Sequence, residues 1–196
     1  CAAGSRVLVE RSIYDDFITE FAARAEKMTV GDPMDASTRL GAIVSEEQLD
    51  RVMAYVDAGR DEGARLVAGG ERTSVNGTGN FVTATVFADV EPGMTIAQEE
   101  IFGPVLSCIR YSTVEEAIAI ANDSDYGLSG SVWTTDIDRA AEIAQRENME
   151  RLQICDIFRL HGDALYEKKL YDQALTVYMK TIDLRLPLES SYVIEK

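Results

Sequence analysis

Short β-branched runs alternate with stretches of helical period over the first 147 residues of this 196-residue chain. That alternation restricts it to a sheet with helices packed on it. Arg6-Val7-Leu8-Val9-Glu10 reads as a strand. From 12 to 28, Ile13, Phe17, Ile18, Phe21, Ala22 and Ala25 line one helical face, and Gly31-Asp32-Pro33 stops the helix. Ser45-Glu46-Glu47-Gln48 is a capping box; it starts a second helix with Leu49, Val52, Met53 and Val56 on one side, closed by Gly59 and Gly63. Leu66-Val67-Ala68 is a strand and Gly69-Gly70 a turn; Asn76-Gly77-Thr78-Gly79 is a turn before a strand from 81 to 87. Val105 to Ile109 is the strand after Gly103-Pro104. Thr113-Val114-Glu115-Glu116 caps a further helix, followed by a strand over 128–134 and a helix over 137–146. Helices between strands imply parallel crossovers, and Tyr111 and Trp133 are expected as core or half-buried strand residues.

Charge removes whole classes of function. The formal net charge is −15, whereas a nucleic-acid binder needs a basic face to displace phosphate counterions. The same balance excludes a polybasic membrane-surface domain. No apolar run is long enough for a transmembrane helix, so no membrane insertion is expected. Cys1, Cys108 and Cys155 are odd in number and widely spaced, which fits reduced thiols in a cytoplasmic compartment. His161 is the single histidine, and no metal site is expected. A first residue other than Met suggests a fragment or a processed product.

The chain changes character near Asn148-Met149. Thirteen of its 14 glycines precede residue 149, as do 26 of its 34 Asp and Glu but only one of its five lysines. Two segments, 1–148 and 149–196, are therefore expected.

Gln98-Glu99-Glu100-Ile101-Phe102-Gly103-Pro104-Val105 is open to two readings. It can be a solvated turn leading into a strand. It can also be a site, since a carboxylate and an aromatic two residues apart can serve hydroxyls and a flat ring in one cavity. Cys1 is open in the same way, as an apolar filler or as a nucleophile.

Cys1-Ala2-Ala3-Gly4-Ser5-Arg6-Val7 resembles the active-site segment of the aldehyde dehydrogenase superfamily. Val30-Gly31-Asp32-Pro33, Gly69-Gly70, Glu99-Glu100-Ile101-Phe102-Gly103-Pro104, Ala121-Asn122, Tyr126-Gly127-Leu128 and Val132-Trp133-Thr134 are similar to that family's blocks, in order. The resemblance covers 1 to about 147. It implies an α/β fold: part of the family's catalytic-domain sheet with flanking helices. It also implies a catalytic Cys1 thiolate that attacks an aldehyde, a thiohemiacetal, hydride transfer to NAD or NADP, and a thioester that water hydrolyses. Glu100 then matches the glutamate that holds the nicotinamide ribose hydroxyls, and Phe102 the aromatic near the nicotinamide ring. Glu99 matches no cofactor contact and is expected as the solvated partner. Ala42 and Ala84 stand where the family commonly has Pro. The family's dinucleotide-binding domain, general-base glutamate and oxyanion-hole asparagine precede its catalytic Cys. The 196 residues alone are therefore expected to show neither NAD binding nor turnover. The family also implies a homo-oligomer.

The tail reads differently. Phe158, Gly162, Leu165, Tyr171, Ala174, Tyr178 and Thr181, with Pro187, resemble a tetratricopeptide repeat, an α-helical hairpin over 149–196. Tyr171-Asp172-Gln173-Ala174 and Ser191-Tyr192-Val193-Ile194 further resemble a class C vacuolar protein sorting core subunit. That likeness implies an alternative function, a scaffold of vesicle tethering with a protein partner for the tail.

Overall fold

The computed structural model describes residues 4–127, 130–134 and 137–146. In chain order its elements begin with β1 (Arg6–Glu10), α1 (Tyr14–Ala25), α2 (Glu46–Asp61), β2 (Arg65–Ala68), β3 (Arg72–Val75) and β4 (Thr78–Val82). They continue with β5 (Thr85–Ala88), α3 (Thr95–Gln98), β6 (Val105–Tyr111), α4 (Val114–Asn122) and α5 (Ile137–Arg146). The described residues from Gly4 to Asp125 form one unit, and those from Tyr126 onward belong to another.

In the first unit a four-stranded sheet runs β1-β6-β5-β2. β6 lies parallel to both β1 and β5, and β2 pairs with β5 antiparallel. The two faces of the sheet alternate residue by residue, as a pleated strand requires. Phe87, Val105 and Ile109 enter a core with Leu49, Val52 and Val56 of α2 and Ile96 of α3. Val86, Ala88 and Cys108 enter a second core with Tyr14 and Ile18 of α1. The result is three layers, α1 on one face and α2 with α3 on the other.

The helices begin where the side chains say they should. The Ser45 side chain accepts a hydrogen bond from the Gln48 N–H, and the Thr113 side chain accepts one from the Glu116 N–H. Glu116 Oε2 reaches back to the Ser112 N–H at 2.7 Å, so that box closes one residue earlier than the usual pattern. α3, a single turn, carries no periodicity to betray it; Glu62 caps its start by accepting from the Thr95 N–H at 2.7 Å.

Several expectations need correction. The crossovers are not all parallel, because β2 reaches β5 through the β3–β4 hairpin and no helix, which leaves the two strands antiparallel. The strand expected over 81–87 is two strands, because the chain changes partner between them. β4 pairs with β3, whereas Thr85 N donates to Pro104 O at 2.8 Å as β5 joins the sheet. No strand forms over the described residues 130–134, and Trp133 is 91% exposed, so it is not core. A strand needs a ladder partner, and these residues have none among the described residues. Tyr111 is half-buried at the end of β6 and the helix over 137–146 is present, both as expected. The helical hairpin expected over 149–196 lies outside the described residues.

The partner change depends on Gly69. Its φ is +67°, and a Cβ there would stand 2.0 Å from the Ala84 carbonyl oxygen. Gly63 also has a positive φ, +95°, but with nothing within 4 Å of the added carbon. Gly63→Ala should cost only left-handed strain, ~1–2 kcal/mol. Gly69→Ala adds a backbone clash and should cost ~2–5 kcal/mol. Urea midpoints of the two variants check this; equal losses would remove the steric argument.

Candidate active site

Three parallel strands enter the sheet from one edge, and two sequence-distant segments meet there. Arg6 of β1 stands opposite Ser107 of β6, and the Ser107 N–H donates to Ser5 O at 3.0 Å. The segment that opens with Cys1 therefore leads into a strand whose immediate neighbour is the strand preceded by 98–104. Pro104 is pinned to the start of β5 by its carbonyl. Cys1 itself lies outside the described residues, whereas Glu100 and Phe102 lie on the loop between α3 and β6.

Arg6 has a structural task. Its guanidinium donates to Ile120 O at 3.3 Å and Ala121 O at 3.2 Å, closing the last turn of α4 with a cation. Burial lowers its pKa, and Asp123 acts in the opposite sense.

The loop is shaped by one face of α2. Gln48 Nε2 donates to Ile101 O at 3.2 Å and to Phe102 O at 3.3 Å. Gly103 packs so closely on Val52 that a Cβ would come within 2.6 Å of Val52 Cγ2. Tyr55 donates its hydroxyl proton to Glu99 Oε2 at 2.7 Å. Gln48, Val52 and Tyr55 are spaced i, i+4, i+7, which puts them on one side of a helix. The Ile101 side chain is buried in the core beneath. At the loop's start, Gln98 Nε2 donates to Pro92 O at 2.7 Å and to Asp123 O at 3.1 Å.

Against these anchors Phe102 has φ +55°, a left-handed conformation that a bulky residue adopts only when its surroundings impose it. Its side chain is 61% exposed. Glu100 is exposed, and its carboxylate has no hydrogen bond or ion pair among the described residues. An exposed aromatic side chain on a held backbone and a carboxylate without a partner among the described residues thus share one loop, a combination suited to a flat ring and a pair of hydroxyls.

Glu99 departs from expectation. It is exposed, but Tyr55 holds it, so it is more than the solvated partner of Glu100. The role of Tyr55 was hidden because it adjoins Val56, and a Tyr beside a Val on a buried face reads as core. Gln48 was seen only as the fourth residue of a capping box. Its backbone serves the cap, and its side chain serves the loop.

Cys108 is a core thiol, as its place in an apolar strand suggested. Burial pushes it up from the ordinary value of 9.0 to about 12. At pH 8 only about one thiol in 10⁴ is then ionised. Among the described residues no group of three or more His, Cys, Asp or Glu converges as a metal site, and no helix is long and apolar enough to cross a membrane.

Comparison with known proteins gives consistent likenesses. The model of the aldehyde dehydrogenase family matches residues 1–160, past the change in composition at 148. Betaine aldehyde dehydrogenase of Rhizobium leguminosarum bv. trifolii is 47% identical over 147 residues, covering 74% of this chain and 30% of that protein. Mitochondrial aldehyde dehydrogenase of Rattus norvegicus is 43% identical over 204 residues, covering 97% of this chain and 38% of that protein. Among solved structures, a Mycobacterium tuberculosis aldehyde dehydrogenase complexed with NAD+ superposes with a TM-score of 0.74 at 49% identity. That match covers 76% of this chain and 31% of that one. The chain thus spans only about a third of the length of these relatives.

Cys108 gives the site its internal control. An unfolded thiol titrates near 9.0 and the folded one near 12. The stability from keeping it neutral is complete below pH 9 and is lost as pH rises towards 12. Relative to Cys108→Ala, the wild-type chain should lose up to ~1.4 kcal/mol per pH unit above pH 9. Denaturant unfolding of both proteins from pH 8 to 10.5 measures the difference; a constant difference would mean an ordinary thiol.

Proposed function

Because the chain belongs to the aldehyde dehydrogenase family, we propose that it carries the thiol and the riboside-binding loop of an NAD(P)-dependent oxidoreductase that converts an aldehyde to a carboxylic acid. The observation that carries this reading is the loop from Glu99 to Gly103, which holds Phe102 exposed in a left-handed turn beside a free Glu100. An exposed aromatic ring and a carboxylate without a partner among the described residues fit the nicotinamide ring and its ribose hydroxyls. When bound, NAD or NADP accepts a hydride. Cys1 as thiolate attacks the aldehyde carbon, and the thiohemiacetal loses that hydride. The resulting thioester is hydrolysed, which frees the acid and regenerates the thiol. Glu100 accepts hydrogen bonds from the ribose hydroxyls, and Phe102 limits where the ring can lie. Cys108 takes no part, because its thiol stays neutral and buried.

The division into 1–148 and 149–196 rests on composition. These comparisons give no support to the helical-repeat reading of the tail or to a vesicle-tethering partner for it. Self-association through the family's usual homo-oligomer belongs to this proposal, to be read from the sedimentation of the native gene product.

The native gene product should form NAD(P)H from an aldehyde, read at 340 nm. Cys1→Ser should lower kcat at least ~10³-fold while leaving dinucleotide affinity within about twofold. Glu100→Gln should raise the KM for the dinucleotide about 10-fold, as expected for charge-assisted hydrogen bonds weakened to neutral ones. Full activity in Cys1→Ser would end the nucleophile assignment. The same assay on residues 1–196 alone tests whether they turn over by themselves.

A further inference from the structure

We infer that Tyr55 is a positioning residue: by donating to Glu99 it sets the left-handed turn at Phe102 and so presents Glu100 and Phe102 together. The inference rests on the dinucleotide reading above. Its geometry stands independently of that reading.

The loop has three kinds of anchor, and they differ in what they fix. Gln48 holds the carbonyls of Ile101 and Phe102, which sets the height of the chain over α2. Val52 sets the distance of closest approach at Gly103. Neither fixes where the chain enters the turn. Gln98, on Pro92 O and Asp123 O, and the Glu99 N–H, on Thr95 O at 2.9 Å, bring the chain as far as Glu99; from there the Glu99 side chain is the last anchor before Glu100. The Glu99 backbone is extended, at φ −113° and ψ 154°, and the chain must pass from there to φ +55° at Phe102 within three residues. A left-handed aromatic residue is held against strain, so the turn relaxes when an anchor is lost.

Tyr55 is itself oriented. Arg51 Nη2 approaches the Tyr55 hydroxyl at 3.4 Å, and the Arg51 guanidinium carbon lies 5.8 Å from the Tyr55 ring centroid. With a guanidinium donating to its oxygen, the phenol directs its own proton to the carboxylate. Loss of that one oxygen atom should leave the fold intact, because the ring remains packed in the core. It should also leave Glu99 unpartnered by Tyr55, so that the turn frays from its first residue.

The test is Tyr55→Phe in the native gene product, with Glu99→Gln and Glu99→Ala beside it. Amide hydrogen exchange of Val105, whose N–H donates to Gly103 O at 2.8 Å across the turn, should quicken about 10-fold in Tyr55→Phe, while exchange within α2 stays unchanged. Glu99→Gln keeps a neutral oxygen acceptor for Tyr55 and should quicken exchange less than Glu99→Ala, which should match Tyr55→Phe. Joining Tyr55→Phe to Glu99→Ala should add little to either alone. In the activity assay, Tyr55→Phe should raise the KM for NAD+ about 5- to 10-fold with kcat and the aldehyde KM little changed, a split that a partly unfolded enzyme would not give. Unchanged exchange at Val105 in Tyr55→Phe, or an equal loss in Glu99→Gln and Glu99→Ala, would overturn the inference. A wild-type protein that binds no NAD+ in titration would overturn the dinucleotide reading and the ligand assigned to this loop. The exchange measurements would still decide whether Tyr55 sets the turn.

Discussion

The parallel pairing of β1 with β6 is the constraint on which the rest depends. About a hundred residues separate the segment before β1 from the segment before β6, and no local interaction could bring them together. The ladder does so through backbone hydrogen bonds, with Arg6 opposite Ser107 and the Ser107 N–H on Ser5 O. Parallel strands share one entry edge, so Ser5, which precedes β1, lies beside the first half of β6. Reactive groups at such an edge are carried on loops whose ends are fixed by a sheet buried on both faces. Arg6 strengthens the arrangement by tying the start of β1 to the carbonyl end of α4.

A sheet edge alone would leave the loop before β6 free to choose among conformations. α2 removes that freedom. Three residues of one helical face act on backbone carbonyls, on a glycine without a Cβ, and on a carboxylate. Each anchor is an ordinary interaction, worth about 1 kcal/mol for a neutral hydrogen bond. Together they maintain a left-handed phenylalanine that no single one could hold, because its cost is of the same size. The strain lies where the chain presents an exposed aromatic ring, and the compensating contacts lie underneath.

Much of this was legible beforehand, and the misses have a common cause. The capping residues Ser45 and Thr113 announce their helices because a cap is a local interaction between a side chain and an amide three residues on. Glu100 and Phe102 stood open between a turn and a site on their local spacing, and only the family resemblance of the whole block singled them out. Tyr55 could not be singled out, since its partner Glu99 is 44 residues away and only the folded sheet brings them within 2.7 Å. The break between β4 and β5 was equally hidden, because Thr83-Ala84 look like strand residues; a change of pairing partner requires the break. Trp133 was misread for the opposite reason: its local composition favours a strand, yet a strand is a relation between segments.

The same distinction bears on the two cysteines. Cys108 and Cys1 are the same chemical group, and sequence neighbours alone cannot rank their reactivity. Cys108 is set in a strand that faces a helix-covered core, where ionisation would place a charge among Tyr14, Val86 and Ala88. Its thiol is pushed up to about 12 as a result. A nucleophile needs the reverse, a thiolate near neutral pH, and a strand interior cannot supply it. The segment that precedes a strand can, because it lies at the sheet edge where backbone amides and side chains of neighbouring loops are available. The sheet that makes Cys108 inert therefore confines any reactive thiol of this fold to a position outside the strand interiors.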